Sequence, residues 1–124
     1  MLLNGIIQKE SEKMTREFIR TTYFDKRWNE MNLIDEDLRE LEKHIMDNPG
    51  VGDIIQGTGG AIKLRWALQG SDKGKSGGIR VIYVDLTHKA HIHLLLCYPK
   101  SKQEDLTYEQ KKQLKQLIST LKGV

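Results

Sequence analysis

Apolar residues recur along this chain with two different periods, and the change between them falls near Asp53. Phe24, Trp28 and Met31 stand at i, i+4 and i+7, one face of a short helix. Leu38, Leu41 and Ile45 form a second such stripe. Asp35-Glu36-Asp37 stands where a helix N-terminus favours negative charge, and Asn48-Pro49-Gly50 stops the helix. Beyond Asp53 the period is two: Ile62, Leu64, Trp66 and Leu68 alternate with Lys63, Arg65 and Ala67, which predicts a half-buried strand. Ile79 to Leu86 and His91 to Tyr98 predict two more. Thr107-x-x-Gln110 forms a capping box that opens a last helix, with Leu114, Leu117, Ile118 and Leu121 as its apolar stripe. Ahead of all these, Phe18, Ile19 and the threonines of Thr15 to Tyr23 predict a first strand.

The predicted order is therefore β-α-α-β-β-β-α. Short connections between the last three strands favour an antiparallel meander, because parallel neighbours need long crossovers. The expected fold is α+β: a small twisted antiparallel sheet with two N-terminal helices and one C-terminal helix, the helices lying against one side. Residues 1–13 show no clean period and read as an N-terminal extension or tail, leaving 14–124 as the domain, with Met14 a second candidate start.

A length of 124 residues leaves room for one domain. The longest apolar run, Leu94 to Tyr98, is far too short to cross a bilayer, and the N-terminus lacks a basic start and a cleavage site. Cys97 is the single cysteine, which excludes an internal disulfide framework. A small cytoplasmic protein without a membrane partner is expected. Net charge is only +3, but its distribution is uneven. Residues 1–60 carry 8 Lys/Arg against 12 Asp/Glu, and residues 61–102 carry 8 against 2. The last 22 residues carry 4 against 3, so the basic charge is concentrated on the strands, as for a surface that binds a polyanion.

Three constellations invite chemistry. Gly70-Ser71-Asp72-Lys73-Gly74-Lys75-Ser76 resembles a phosphate-binding P-loop, but it is one residue short and a strand follows it where the motif needs a helix. His88, His91, His93 and Cys97 cluster within ten residues, and His91, His93 and Cys97 would share a strand face. Cys97 nevertheless lies about 13 Å along the strand from His93, too far for one ion, so no metal is expected. The histidines could instead act as general acid and base. The third set is cationic. Lys63 and Arg65 share a strand face, Lys73 and Lys75 lie in the adjoining loop, and Lys100 and Lys102 follow the third strand. Arg80 falls in period with Ile82, Val84 and Leu86, where a strand would otherwise bury apolar groups, so it wants a fixed anionic partner: an internal carboxylate or a phosphate.

These same segments carry a family likeness. Gly52 to Arg65, then Gly74-Lys75-Ser76-Gly77-Gly78-Ile79-Arg80-Val81-Ile82-Tyr83, then Tyr98-Pro99-Lys100-Ser101-Lys102, resemble the RelE/HigB family of bacterial toxins, most nearly its HigB-like branch, over about residues 16–122. The resemblance implies a ribosome-dependent mRNA endonuclease, an enzyme without cofactor. It implies as partners a cognate antitoxin with a DNA-binding helix-turn-helix domain, the ribosome and mRNA. Lys63, Arg65, Arg80, Lys100 and Tyr98 match the family's catalytic positions, with Lys73, Lys75, Lys102 and Tyr108 as further RNA-binding candidates. Founding members show a tyrosine near the C-terminal helix, roughly where Tyr108 stands. Several relatives have an arginine after the last strand where this chain has lysines.

The reaction so implied is metal-independent attack of the RNA 2′-hydroxyl on its adjacent phosphate. Arg65 and Arg80 would hold the phosphorane charge, Lys63 would be the base, Lys100 or Lys102 would steady the leaving oxygen, and Tyr98 would stack on a base. The acidic helix from Asp35 to Asp47 is a candidate antitoxin surface. The rival function is a non-catalytic toxin of the same fold, a gyrase poison, or an RNA-binding module.

Overall fold

The computed structural model describes residues 16–67 and 78–123. In chain order the elements are β1 (Glu17–Arg20), α1 (Thr22–Glu30), α2 (Asp35–Asp47), β2 (Asp53–Ile54), β3 (Ile62–Trp66), β4 (Ile79–Leu86), a single 3₁₀ turn (Thr87–Lys89), β5 (His91–Pro99) and α3 (Tyr108–Lys122). The α+β class, the two N-terminal helices and the C-terminal helix agree with the sequence pattern. The tail, the domain start at Met14 and the P-loop-like segment lie outside the described residues.

The sheet has five strands in the order β1-β5-β4-β3-β2. It is mixed rather than wholly antiparallel: β3 to β5 form the expected meander, the short β2, which the sequence pattern does not predict, adds to it antiparallel to β3, and β1 runs parallel to β5 at the other edge. The preference for antiparallel pairing rested on short connections, and β1 is separated from β5 by most of the chain. The first strand is also shorter than predicted. Thr21 caps α1, its Oγ1 accepting from the Phe24 N–H at 2.9 Å, so Thr22 and Tyr23 enter the first helical turn.

Side chains alternate across the sheet, and each face has its own core. On one face, Phe24 and Trp28 of α1 and Leu38, Leu41 and Ile45 of α2 pack on Leu64, Val81, Tyr83 and Leu94. On the other, Leu114 and Ile118 of α3 pack on Ile82, Val84, Leu96 and Tyr98. The helices thus cover both faces, not one. With every residue of Ile79–Val84 buried, β4 is the central strand and needs cover above and below. Leu117, in the predicted stripe, is exposed at the rim.

A bulge at Leu95 breaks the alternation of β5, since Ile82 pairs with Leu96 but Tyr83 pairs with Leu94. The Leu95 carbonyl accepts from Thr21 Oγ1 at 2.8 Å, which ties the bulge to the start of α1. Its consequence is a reversal of parity. Tyr98 now faces α3, whereas Cys97 faces α1 and α2.

Two glycines set strand spacing beside the basic residues. Gly78 has φ +77, and a Cβ there would lie 2.6 Å from the Trp66 carbonyl oxygen. Gly52, at φ +116, meets the Lys63 carbonyl oxygen at the same distance. Neither position tolerates a side chain without moving β3.

Candidate nucleic-acid cleavage site

Cross-strand register assembles the cationic set. Arg65 of β3 lies opposite Arg80 of β4, and Arg80 lies opposite Tyr98 of β5, so the three form a row across the sheet. Lys63 is two residues from Arg65 and points to the same face, the one that α3 partly covers. The row lies at the end of the sheet next to the β5–α3 connection.

That connection is anchored at several points. Leu106 is buried, and the Tyr98 hydroxyl donates to the Glu104 carbonyl at 3.3 Å. Gln103 Nε2 donates to the Asp105 carbonyl at 2.8 Å and to Gln110 Oε1 at 2.6 Å. The predicted capping box closes the segment: Gln110 N–H donates to Thr107 Oγ1 and Thr107 N–H to Gln110 Oε1.

Anchored in this way, the connection presents two adjacent carboxylates to the cations. Arg80 Nη2 lies 2.9 Å from Glu104 Oε2 and 3.1 Å from Oε1, with Nε 3.4 Å from Oε1. Arg65 Nη2 is 3.8 Å from Glu104 Oε1, and its Nη1 is 3.0 Å from Asp53 Oδ2. Lys63 Nζ donates to Asp105 Oδ1 at 2.9 Å, and that hydrogen bond lowers the Asp105 pKa below the usual carboxylate value. Three cations therefore meet three carboxylates.

Exposure separates their roles. The Arg80 side chain is only 4% exposed, beneath Glu104 at 42%, while Arg65 is 56% exposed and offers a guanidinium to solvent. Of the two partners that sequence allowed for Arg80, the structure supplies the internal carboxylate. Sequence reasoning missed Glu104, Asp105 and Asp53 themselves. The one available signal was the misplaced arginine, which demanded an anion without saying where along the chain to find it.

The remaining predicted residues differ in exposure and position. Tyr98 is 6% exposed, so its ring packs in the core and its hydroxyl anchors the Glu104 backbone; burial pushes the phenol pKa up. Stacking on a nucleobase is not open to it in this conformation. Tyr108, at the first turn of α3, is 82% exposed and free to stack. Lys100 is exposed on the turn after β5, its backbone N–H donating to the Gly78 carbonyl at 3.2 Å. Lys102 lines a groove with Tyr23, Arg27 and Glu30. Lys73 and Lys75 lie outside the described residues.

The histidines stand apart. His91 and His93 occupy the far end of β5, with His93 roughly 15 Å along the strand from Tyr98. The Leu95 bulge also places Cys97 on the opposite face from His93, correcting the expectation that they share one. Cys97 is buried against α1 and its thiol is pushed up to about 12 by desolvation, so it is an inert core group. Among the described residues, no three His, Cys, Asp or Glu side chains are grouped to hold a metal ion, and no helix is long and apolar enough to cross a membrane.

Comparison with known proteins gives two results. Residues 16–124 match the family model for the RelE toxin of the RelE/RelB toxin–antitoxin system. Among solved structures, the chain is similar to the E. coli toxin RelE, a double arginine-to-alanine mutant in the free state, with a TM-score of 0.50 and 17% identity. The match covers 73% of this chain and 90% of that one, a likeness of fold.

Proposed function

This chain belongs to the RelE toxin family of RelE/RelB toxin–antitoxin systems, and from that membership we propose that it is an mRNA endonuclease acting on the ribosome in the cytoplasm. A toxin of this kind has a cognate antitoxin, which we take to carry a DNA-binding helix-turn-helix domain. Within the family, the Gly74–Tyr83 and Tyr98–Lys102 segments favour the HigB-like branch. The observation that carries the reading is the placement of Lys63, Arg65 and Arg80 on one sheet face, where a backbone phosphate can meet Arg65 from solvent.

The reaction is attack of a ribose 2′-oxygen on the adjacent phosphorus, with loss of the 5′-oxygen to leave a 2′,3′-cyclic phosphate and a 5′-hydroxyl. Arg65 stabilises the charge that develops on the phosphorane, a contribution strongest where water is partly excluded. Lys63 adds a second positive charge two residues away. Lys100 stands at the rim, where a leaving oxygen or flanking phosphate would pass, and Tyr108 offers a ring for an unstacked base. The cations are largely neutralised by their own carboxylates, so free RNA is held weakly. Alignment of the message by the ribosome then supplies much of the rate.

Mapping 5′ ends of cellular mRNA after induction tests the proposal. Codon-phased cuts that disappear in Arg65→Ala support it. Intact messages accompanied by DNA damage would instead identify a gyrase poison.

A further inference from the structure

We propose that Glu104 is the general base of this site, and that Arg80 is the positioning residue that holds it. The inference rests on the endonuclease reading above and supplies the proton acceptor which that reading leaves open.

Attack by a 2′-hydroxyl requires a group that accepts its proton, and the residues picked out in the sequence are poorly suited to do so. Arginine stays protonated in proteins. Lys63 is engaged as a donor to Asp105, and Tyr98 is buried with its hydroxyl donating to a backbone carbonyl. Carboxylates are the remaining acceptors, and three border the cations. Asp53 sits on the two-residue edge strand and, among the described residues, pairs with Arg65 and not with Arg80. Asp105 is highly exposed and bound to Lys63. Among the described carboxylates, Glu104 alone stands between Arg65 and Arg80, with its backbone fixed through Tyr98 and its carboxylate gripped by the Arg80 fork.

This geometry suits the reaction. A phosphate bound by the exposed Arg65 lies beside the Glu104 carboxylate, because Arg65 Nη2 is 3.8 Å from Glu104 Oε1. The 2′-oxygen adjacent to that phosphate is then within reach of an oxygen whose orientation is already set. Glu104 takes the 2′-hydroxyl proton as the 2′-oxygen–phosphorus bond forms. The bond from phosphorus to the 5′-oxygen breaks, the 5′-oxygen takes a proton from water, and Glu104 releases its proton to solvent. Arg80, almost wholly buried, reaches RNA only through Glu104. Its planar fork fixes both carboxylate oxygens, which a lysine cannot do.

The test compares the full-length wild-type chain with Glu104→Gln and Glu104→Asp on ribosomes programmed with a defined mRNA. Single-turnover cleavage and ribosome binding are measured between pH 5 and 8. Glu104→Gln should cut at least about 100-fold more slowly, with binding changed less than about threefold. The wild type should lose rate towards acid pH, and the variant should not. Glu104→Asp, which keeps a recessed carboxylate, should give an intermediate rate with its acid limb retained. The groups facing Glu104 are Arg65, Arg80 and the Tyr98 hydroxyl, with Lys63 and Asp105 beside them.

Wild-type cleavage by Glu104→Gln, or faster cutting of free RNA by it, would overturn the base assignment and make Glu104 a cover over the cations. Should Glu104→Gln fail to fold, a Glu104→Asp rate equal to wild type would be equally decisive against it. A wild type that cuts no programmed message removes the endonuclease reading itself, a separate failure.

Discussion

Arg65 and Arg80 stand directly opposite one another on neighbouring antiparallel strands, two cations at a position where like charges repel. Glu104 makes the pairing tolerable. Its carboxylate approaches Arg80 at 2.9 Å and Arg65 at 3.8 Å, so one anion from a distant loop serves both guanidiniums. The charged row across β3 and β4 and the β5–α3 connection therefore depend on each other.

Removing that anion should destabilise the fold. Glu104→Ala leaves the Arg80 guanidinium buried without a carboxylate, a change that costs about 3–5 kcal/mol when both partners are buried. Glu104 is itself part-exposed, so a loss of about 2 kcal/mol is expected, with Glu104→Gln losing less because its amide oxygen still accepts. Urea denaturation at neutral pH measures both. A Glu104→Ala midpoint equal to wild type would mean that water serves Arg80 as well as the carboxylate does.

Arg80 should respond to geometry as well as to charge. Arg80→Lys keeps a cation but loses the fork, and cleavage of ribosome-bound mRNA should fall by about tenfold or more. Arg80→Ala should abolish growth arrest on induction. A strain still arrested by Arg80→Ala, with mRNA still cut, would show that this row is not the site.

The parts of this arrangement were unequally legible in the sequence. The cations were found because strand alternation is local: Lys63 and Arg65 share a face by spacing alone, and Arg80 interrupts an apolar period. The carboxylates were not, because Glu104 meets Arg80 across 24 residues through a loop with no periodic signal. The face assignment of β5 failed at Leu95 for a related reason, since a bulge adds one residue without leaving a mark in the pattern. The long connection before β5 likewise concealed the parallel pairing of β1. Helix starts fared better where a side chain makes the cap, as at Thr107.

A pH effect should arise far from the cations, at His93. Burial lowers its pKa, with His91 and Lys89 adding repulsion, so the folded state favours the neutral ring. The stability due to that ring is fully present above the unfolded histidine value of about 6.5 and is lost as pH falls from there through the lower folded value. Denaturation midpoints should therefore drop between pH 7.5 and 5.5 in the wild type and drop less in His93→Gln. Parallel curves would assign the loss to other groups.

Arg65 should separate function from stability. Its side chain is 56% exposed and its ion pairs with Asp53 and Glu104 are solvated, so Arg65→Ala should shift folding free energy by no more than about 0.5 kcal/mol. The same change removes the guanidinium proposed to meet the phosphorane, and mRNA cleavage on the ribosome should fall about 100-fold or more. Arg65→Lys, with a charge but no fork, belongs between the two. Chemical denaturation and single-turnover cleavage on the same preparations decide the matter. If stability and cleavage fall together, Arg65 is part of the scaffold, and the phosphate must be met elsewhere on this face.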